Sequence, residues 1–140
     1  MSEDTLVIER LFDTDCQTLY EAWTDPKVMA RWFFVEENWS AEVTNDLQVG
    51  GAYTLSMVLD AETRHTMTGE YLELREHSRI RFTWTSHVVE NSIVTIDLEP
   101  VGDKTLLRLT HELIPNEEAR TAHRHGWGGC LDSLAQQVSR

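Results

Sequence analysis

The fold is decided by residues 116–138, NEEARTAHRHGWGGCLDSLAQQV. Asn116 is suited to cap a helix, and Glu117 and Glu118 place negative charge in the first turn, where the helix dipole favours it. At about 1.5 Å per residue the helix would be roughly 34 Å long, enough to cross a small domain. Its apolar residues recur at steps of three and four and form one stripe: Ala119, Ala122, Trp127, Cys130, Leu131, Leu134 and Val138.

The middle of this helix is rich in glycine. Gly126, Gly128 and Gly129 surround Trp127, and each glycine costs about 1 kcal/mol relative to alanine inside a helix. Packing rather than intrinsic propensity must therefore stabilise the segment. Glycines at this spacing allow another backbone to approach closely, or leave empty space beside the helix. The alternative is a kink here, or a helix that begins only near Gly126.

Composition and charge predict one globular domain covering residues 1–140. The chain is 41% hydrophobic and 26% charged, with a net charge of −12. This acidity argues against binding to nucleic acids or anionic membranes, because both require basic patches. No apolar run approaches the roughly 20 residues of a membrane span. Cys16 and Cys130 are too few for a disulfide framework, and the start of the chain is acidic rather than signal-like. We therefore expect a cytoplasmic protein.

The pattern of the remaining chain predicts seven strands and two short helices before the long one. Residues 5–12 form the first strand, and helices follow at 16–24 and 26–33, separated at Asp25-Pro26. A period of two then predicts six strands joined by short turns, which is typical of an antiparallel sheet. These strands are expected near 39–43, 52–59, 66–74, 79–85, 94–99 and 107–111.

The fold class that follows is α+β. One face of an antiparallel sheet must be buried, and only the C-terminal helix is long enough to cover it. We therefore expect a curved sheet of about seven strands that wraps around the long helix, with the two short helices closing one end. This is the helix-grip architecture.

The element order and several segments resemble the helix-grip superfamily of START-like and Bet v 1-like domains. Within it the chain is similar to the family named after the activator of the Hsp90 ATPase. The matching pieces cover nearly the whole chain: WTDPKVMARWF (23–33), GGAY (50–53), GEYLEL (69–74), RIRFTW (79–84), VTIDLEPVGDKTLLRLTHE (94–112) and HRHGWGGCLDSLAQQV (123–138). The superfamily contains ligand carriers, cyclases, hydrolases and chaperone-associated domains, so the resemblance is more specific for fold than for function.

The resemblance implies a cavity between the sheet and the long helix, open near the short helices. Strand and helix periodicity independently give an inward-facing set rich in aromatic residues and methionine, which are adaptable walls for an apolar pocket. The alternative is that the same residues form a solid core. The candidate ligand-binding residues are Trp32, Phe33, Tyr53, Met57, Met67, Tyr71, Phe82, Trp84, Ile96, Leu109, Trp127, Cys130 and Leu134.

His111 is the one candidate catalytic residue, and it joins the candidate ligand-binding set. It shares a strand face with Leu107 and Leu109, so an inward imidazole could orient a ligand or move a proton. The alternative is a satisfied histidine at the end of the strand.

The other histidines and the known motifs give no further site. His123 and His125 point roughly 200° apart on a helix, so we expect no metal site. His65, His77 and His87 lie near turns and are expected to be exposed. No nucleophile elbow, P-loop, zinc-protease motif or dinucleotide fingerprint occurs, and no cofactor is predicted.

The sequence favours a non-enzymatic protein that encloses a small apolar or amphipathic molecule. Two alternatives remain open. One is an interaction domain associated with an Hsp90-type chaperone or with stress, although the chain lacks the additional domain of the eukaryotic activator. The other is a cyclase- or hydrolase-like enzyme that uses His111 and other cavity residues. A homodimer is a reasonable expectation for a small domain with exposed sheet edges.

Overall fold

A computed structural model describes residues 5–138. In this range the chain forms seven strands and three helices, in the predicted order. The elements are β1 (Leu6–Phe12), α1 (Cys16–Thr24), α2 (Pro26–Met29), β2 (Ser40–Asn45), β3 (Ala52–Val58), β4 (Arg64–Arg75), β5 (Arg79–Trp84), β6 (Ser92–Val101), β7 (Lys104–Glu112) and α3 (Glu117–Val138).

The seven strands form one antiparallel sheet in the order β1-β7-β6-β5-β4-β3-β2. Strands β2 to β6 are each paired with the strand that follows them, as expected for a meander, and β1 adds to the sheet beside β7. The register between β4 and β5 shifts at Tyr71 and Glu73, where a bulge bends the sheet. The predicted α+β helix-grip fold is thereby confirmed.

Aspartate side chains begin the two short helices. The carboxylate of Asp15 accepts a hydrogen bond from the backbone N–H of Thr18 at 2.8 Å, and that of Asp25 accepts from Lys27 at 2.9 Å. The second helix ends at Met29 rather than at residue 33, so the predicted length was wrong. Beyond Met29 the backbone tightens into turns, in which Trp32 N donates to Met29 O at 3.1 Å. Such i→i−3 bonds are typical of the last turn of a helix.

Helix α3 runs without interruption from Glu117 to Val138, which excludes the alternative of a helix that begins near Gly126. Asn116 caps it, since its side-chain oxygen accepts from Ala119 N at 2.8 Å. At Gly129 a Cβ atom would lie 2.7 Å from Val35 Cγ1 and 3.0 Å from the carbonyl oxygen of Val35. At Gly126 a Cβ atom would meet nothing within 4 Å. Close approach and empty space, the two uses of glycine anticipated from the sequence, therefore both occur on this one helix.

The concave face of the sheet, α3 and the short helices enclose one hydrophobic core. The largest fully buried side chains include Trp32, Phe33, Leu109 and Leu134. None of the helices in residues 5–138 is both long and apolar enough to cross a bilayer.

Candidate functional site

A cavity of about 250 Å³ lies between α3 and the concave side of the sheet. Residues 33–39, the segment after α2, contribute to its lining, together with strands β3, β4 and β5, the β5–β6 loop and α3. The lining residues are Phe33, Val35, Glu36, Trp39, Met57, His65, Met67, Trp84, Ser86, His87, Val88, Ala122, His123, His125, Gly126, Trp127 and Cys130.

The structure buries every residue of the predicted inward set but divides the set among three places. Six line the cavity: Phe33, Met57, Met67, Trp84, Trp127 and Cys130. Three line a separate void of about 10 Å³ between α1 and the sheet: Tyr53, Tyr71 and Phe82. Five are absent from the linings of both spaces and pack in the core: Trp32, Ile96, Leu109, His111 and Leu134. Their predicted role in ligand binding stays a prediction.

Several cavity residues escaped the sequence analysis, although a signal was present for two of them. His65 precedes Met67 by two positions, so strand alternation directs both side chains to the same face. The predicted strand began at residue 66, one position too late to include His65. His123 lies four residues before Trp127, the spacing of neighbours on one helix face. His87 lies in a loop without periodicity, and no sequence pattern indicates its position.

Histidine dominates the polar groups of this cavity. His65 is half-buried, whereas His87 and His125 are exposed at the rim. The rings of His65 and His87 lie 4.9 Å apart between centroids, and the ring of Trp39 meets that of His65 edge-on at 6.3 Å. The expectation that His65 is exposed was therefore wrong, because residues from two other segments pack against its ring.

His123 is buried in the wall with both ring nitrogens hydrogen-bonded. Its Nε2 accepts from the indole N–H of Trp84 at 3.2 Å, since an indole nitrogen can only donate. Its Nδ1 must then carry the proton that is donated to the Ala119 carbonyl at 2.8 Å. Burial lowers the pKa of His123, the bond to Ala119 partly opposes this change, and the nearby His87 reinforces it. The ring is thus a neutral part of the wall.

His111 forms the centre of a second, deeper set of hydrogen bonds. Its Nδ1 accepts from the indole N–H of Trp127 at 3.1 Å, and its Nε2 lies 2.8 Å from Ser92 Oγ. Ser92 Oγ donates to the Trp84 carbonyl at 2.7 Å, so the His111 Nε2–H is the donor to Ser92. Burial lowers the pKa of His111 to about 3, with a smaller contribution from His123. Both nitrogens of the neutral ring are occupied within the protein, which leaves neither free for a substrate.

Cys130 contributes a thiol to the lining of the cavity. Burial raises the pKa of the Cys130 thiol, so this side chain is uncharged at neutral pH and is a poor nucleophile. Within residues 5–138 no group of three His, Cys, Asp or Glu side chains is placed to hold a metal ion. Aromatic and aliphatic walls with a few polar groups near the rim are typical of small-molecule sites.

The sheet, the grasped helix and the cavity between them define a helix-grip domain of the Bet v 1-like kind. Residues 13–139 match the model of the family described as activator of Hsp90 ATPase homolog 1-like protein. The chain therefore belongs to this family, as the resemblance predicted. No match was found among curated protein sequences.

Solved structures share this fold. A protein from Chromobacterium violaceum is 29% identical, with 98% of each chain covered and a TM-score of 0.87. CalU16 from Micromonospora echinospora is 26% identical, with 96% of this chain and 76% of that chain covered and a TM-score of 0.74. An AHSA1-like protein from Aeromonas hydrophila shares the fold at 21% identity and a TM-score of 0.83, over 95% of this chain and 90% of that one.

Proposed function

We propose that this domain binds a small apolar or amphipathic molecule in the cavity beneath α3. The observation that carries the proposal is the cavity itself, a space of about 250 Å³ whose walls include the rings of Phe33, Trp84 and Trp127. Ligand pockets usually measure about 300–1,000 Å³. At about 250 Å³ the cavity lies just below this range, so the ligand has a small apolar part.

The walls of this cavity are suited to a ligand rather than to a filled core. Met57 and Met67 contribute flexible, polarisable side chains, which adapt to the shape of a bound molecule. Gly126 faces the cavity from the middle of α3, where alanine would stabilise the helix by about 1 kcal/mol. The space beside Gly126 is thus maintained at a cost in helix stability.

The proposal is tested with N-phenyl-1-naphthylamine, a neutral dye whose fluorescence rises on transfer into an apolar site. We expect the wild-type protein to bind it with one-to-one stoichiometry. The Gly126→Leu variant should lose binding by at least about tenfold, because the side chain enters the cavity, while the helix gains stability. Gly128→Leu is the matched control, because Gly128 also has open space at its Cβ position but does not line the cavity.

Three results would contradict the proposal. They are no binding by the wild-type protein, equal binding by wild type and Gly126→Leu, and equal losses in the Gly126 and Gly128 variants. Circular dichroism and urea unfolding of all three proteins establish that they are folded under the conditions of the titration.

A second candidate function is association with an Hsp90-type chaperone, and the observation that favours it is the family match. The family takes its name from an activator of the Hsp90 ATPase. The test is the ATPase rate of a purified Hsp90-type chaperone with and without this domain, together with a pull-down. A stimulated rate would support the role, whereas an unchanged rate and no co-purification would remove it.

We propose the cytoplasm as the location of the protein. Cys16 and Cys130 are both free thiols, and unpaired cysteines are typical of reducing compartments. Fractionation of cells that produce the protein would test the location.

A further inference from the structure

The cavity gathers histidine to an extent that the composition does not anticipate. Four of the six histidines of the chain line it, whereas among residues 5–138 a single acidic residue does. The histidines are His65, His87, His123 and His125, and the single carboxylate is that of Glu36. The chain has a net charge of −12, yet most of the ionisable side chains that line this cavity are imidazoles.

These groups reach the rim from four different elements. His65 comes from β4, His87 from the β5–β6 loop, His125 from α3 and Glu36 from the segment after α2. Strands β3 and β5 contribute Met57 and Trp84 to the lining, and neither side chain is titratable. The paired rings of His65 and His87, with centroids 4.9 Å apart, are the focus of the cluster.

The histidine cluster is not arranged to bind a metal ion. His123 already uses both ring nitrogens, one for Trp84 and one for Ala119. Among residues 5–138 no three His, Cys, Asp or Glu side chains converge with the geometry that a metal requires. The imidazoles of His65, His87 and His125 are left to meet a ligand that enters the cavity.

We infer that the ligand is an amphipathic anion, whose apolar part occupies the cavity and whose acidic group lies at the rim against His65, His87 and His125. This inference rests on the proposed binding function and specifies its ligand class. In this arrangement the apolar part of the ligand contacts Phe33, Trp84 and Trp127. Its acidic group is exposed to water and is close to the imidazoles of the rim.

The charge state of the rim makes the binding of such an anion sensitive to pH. Histidine side chains become positively charged between about pH 8 and pH 5, and two neighbouring cationic rings are stabilised by an anion beside them. Burial lowers the pKa of His123, and both of its ring nitrogens are hydrogen-bonded within the wall. Glu36 carries the opposite charge and weakens the attraction.

The experiment compares two dyes of the same ring skeleton, titrated from pH 8 to pH 5.5. One is 8-anilinonaphthalene-1-sulfonate, whose sulfonate stays ionised throughout, and the other is neutral N-phenyl-1-naphthylamine. The affinity of the wild-type protein for the sulfonate should rise about tenfold as the pH falls, because rim charges lie within a few ångströms of the anion. The affinity for the neutral dye should stay constant and shows that the cavity is intact at each pH.

Three variants assign the effect to particular side chains. The double variant His65→Gln/His87→Gln should lose most of the pH dependence for the sulfonate, with its affinity for the neutral dye measured in parallel as the reference. Glu36→Gln should bind the sulfonate more tightly than the wild type at every pH. His77→Gln is the matched control, because His77 does not line the cavity and packs against Tyr20.

The outcomes separate the two proposals. If neither dye binds, the proposed function fails. If the neutral dye binds but the sulfonate shows no pH dependence, or if the dependence survives in the double variant, the inference of an anionic ligand is overturned. If His77→Gln reduces the pH dependence as much as the double variant does, the effect does not come from the rim and the inference fails as well.

Discussion

The buried tryptophans of the core differ in the hydrogen-bond partner of the indole N–H. Trp32, Trp84 and Trp127 donate to Ala22 O, His123 Nε2 and His111 Nδ1. The indole nitrogen of Trp23 is buried and has no hydrogen-bond partner among residues 5–138. A buried N–H without a partner costs about 1–3 kcal/mol, so Trp23 is a local weak point.

Replacement of Trp23 and of Trp32 by phenylalanine tests this interpretation. Trp23→Phe and Trp32→Phe remove similar volume from fully buried sites. Only Trp32→Phe breaks a hydrogen bond and leaves the Ala22 carbonyl unpaired. We expect the free energy of unfolding, measured by urea denaturation, to fall by about 1–3 kcal/mol more in the Trp32 variant. Equal losses in the two variants would contradict the prediction.

At the scale of single residues the sequence predicts burial well and contacts poorly. Alternation and helical spacing give the inward direction of Met57, Met67 and Trp127, because direction depends only on local geometry. Whether an inward side chain reaches the cavity or the solid core depends on what lies opposite it. His111 illustrates the difference, since its face was predicted but its partners were not. Ser92 and Trp127 lie on β6 and α3, the elements before and after its own strand.

Helix α3 shows how two adjacent glycines serve different purposes. Gly128 has open space where a Cβ atom would be, whereas at Gly129 the same atom would overlap Val35. We expect Gly128→Ala to raise the free energy of unfolding by up to about 1 kcal/mol through helix propensity. Gly129→Ala should lower it by about 1–3 kcal/mol, because the segment after α2 must move away.

Thermal or urea unfolding of the two variants provides the measurement. The double variant Gly129→Ala/Val35→Ala should recover only part of the loss, since the contact with the Val35 carbonyl persists at 3.0 Å. A Gly129→Ala protein as stable as Gly128→Ala would show that the segment after α2 is not held against the helix.

The elements themselves were predictable because periodicity is local. The strict alternation of Ile80, Phe82 and Trp84 identified β5, and the glycines of α3 indicated close approach or open space beside the helix. The sequence could not decide which glycine serves which purpose. That assignment depends on the path of residues 33–39, which have no repeating pattern.

The His111 hydrogen bonds link the sheet to α3 and so affect the stability of the whole molecule. The ring on β7 bonds to Ser92 on β6 and to Trp127 on α3. In the unfolded chain a histidine takes up a proton below about pH 6.5. In the folded protein the pKa of His111 is about 3, so its ring stays neutral over most of this range. Protonation therefore favours the unfolded chain, and stability is lost as the pH falls from about 6.5 towards 3.

This sensitivity is measurable by urea unfolding at pH 7 and pH 5, a range in which most carboxylates are ionised in both states. His111 alone should account for a loss of about 2 kcal/mol between these two pH values. His111→Gln should be less stable at pH 7, because it breaks the network, but should lose about 2 kcal/mol less on acidification. An unchanged pH dependence in this variant would show that His111 titrates normally in the folded protein.

At the scale of the molecule the fold was predictable and the cavity only in part. The order of the strands and the single long helix leave few ways to cover the sheet. The rim of the cavity is formed by residues 33–39 and 86–88, which carry no periodicity. Its histidines come from separate elements, and only the folded chain brings His65 and His87 together.

The position of α3 at the end of the described chain affects how the domain is made. All seven strands precede this helix in sequence, so on the ribosome the meander can pair before the helix that covers its apolar side has emerged. During that interval the concave, apolar face of the nascent sheet is exposed to solvent. The domain can therefore reach its native state only after α3 has emerged, and until then its newly made strands are exposed to aggregation.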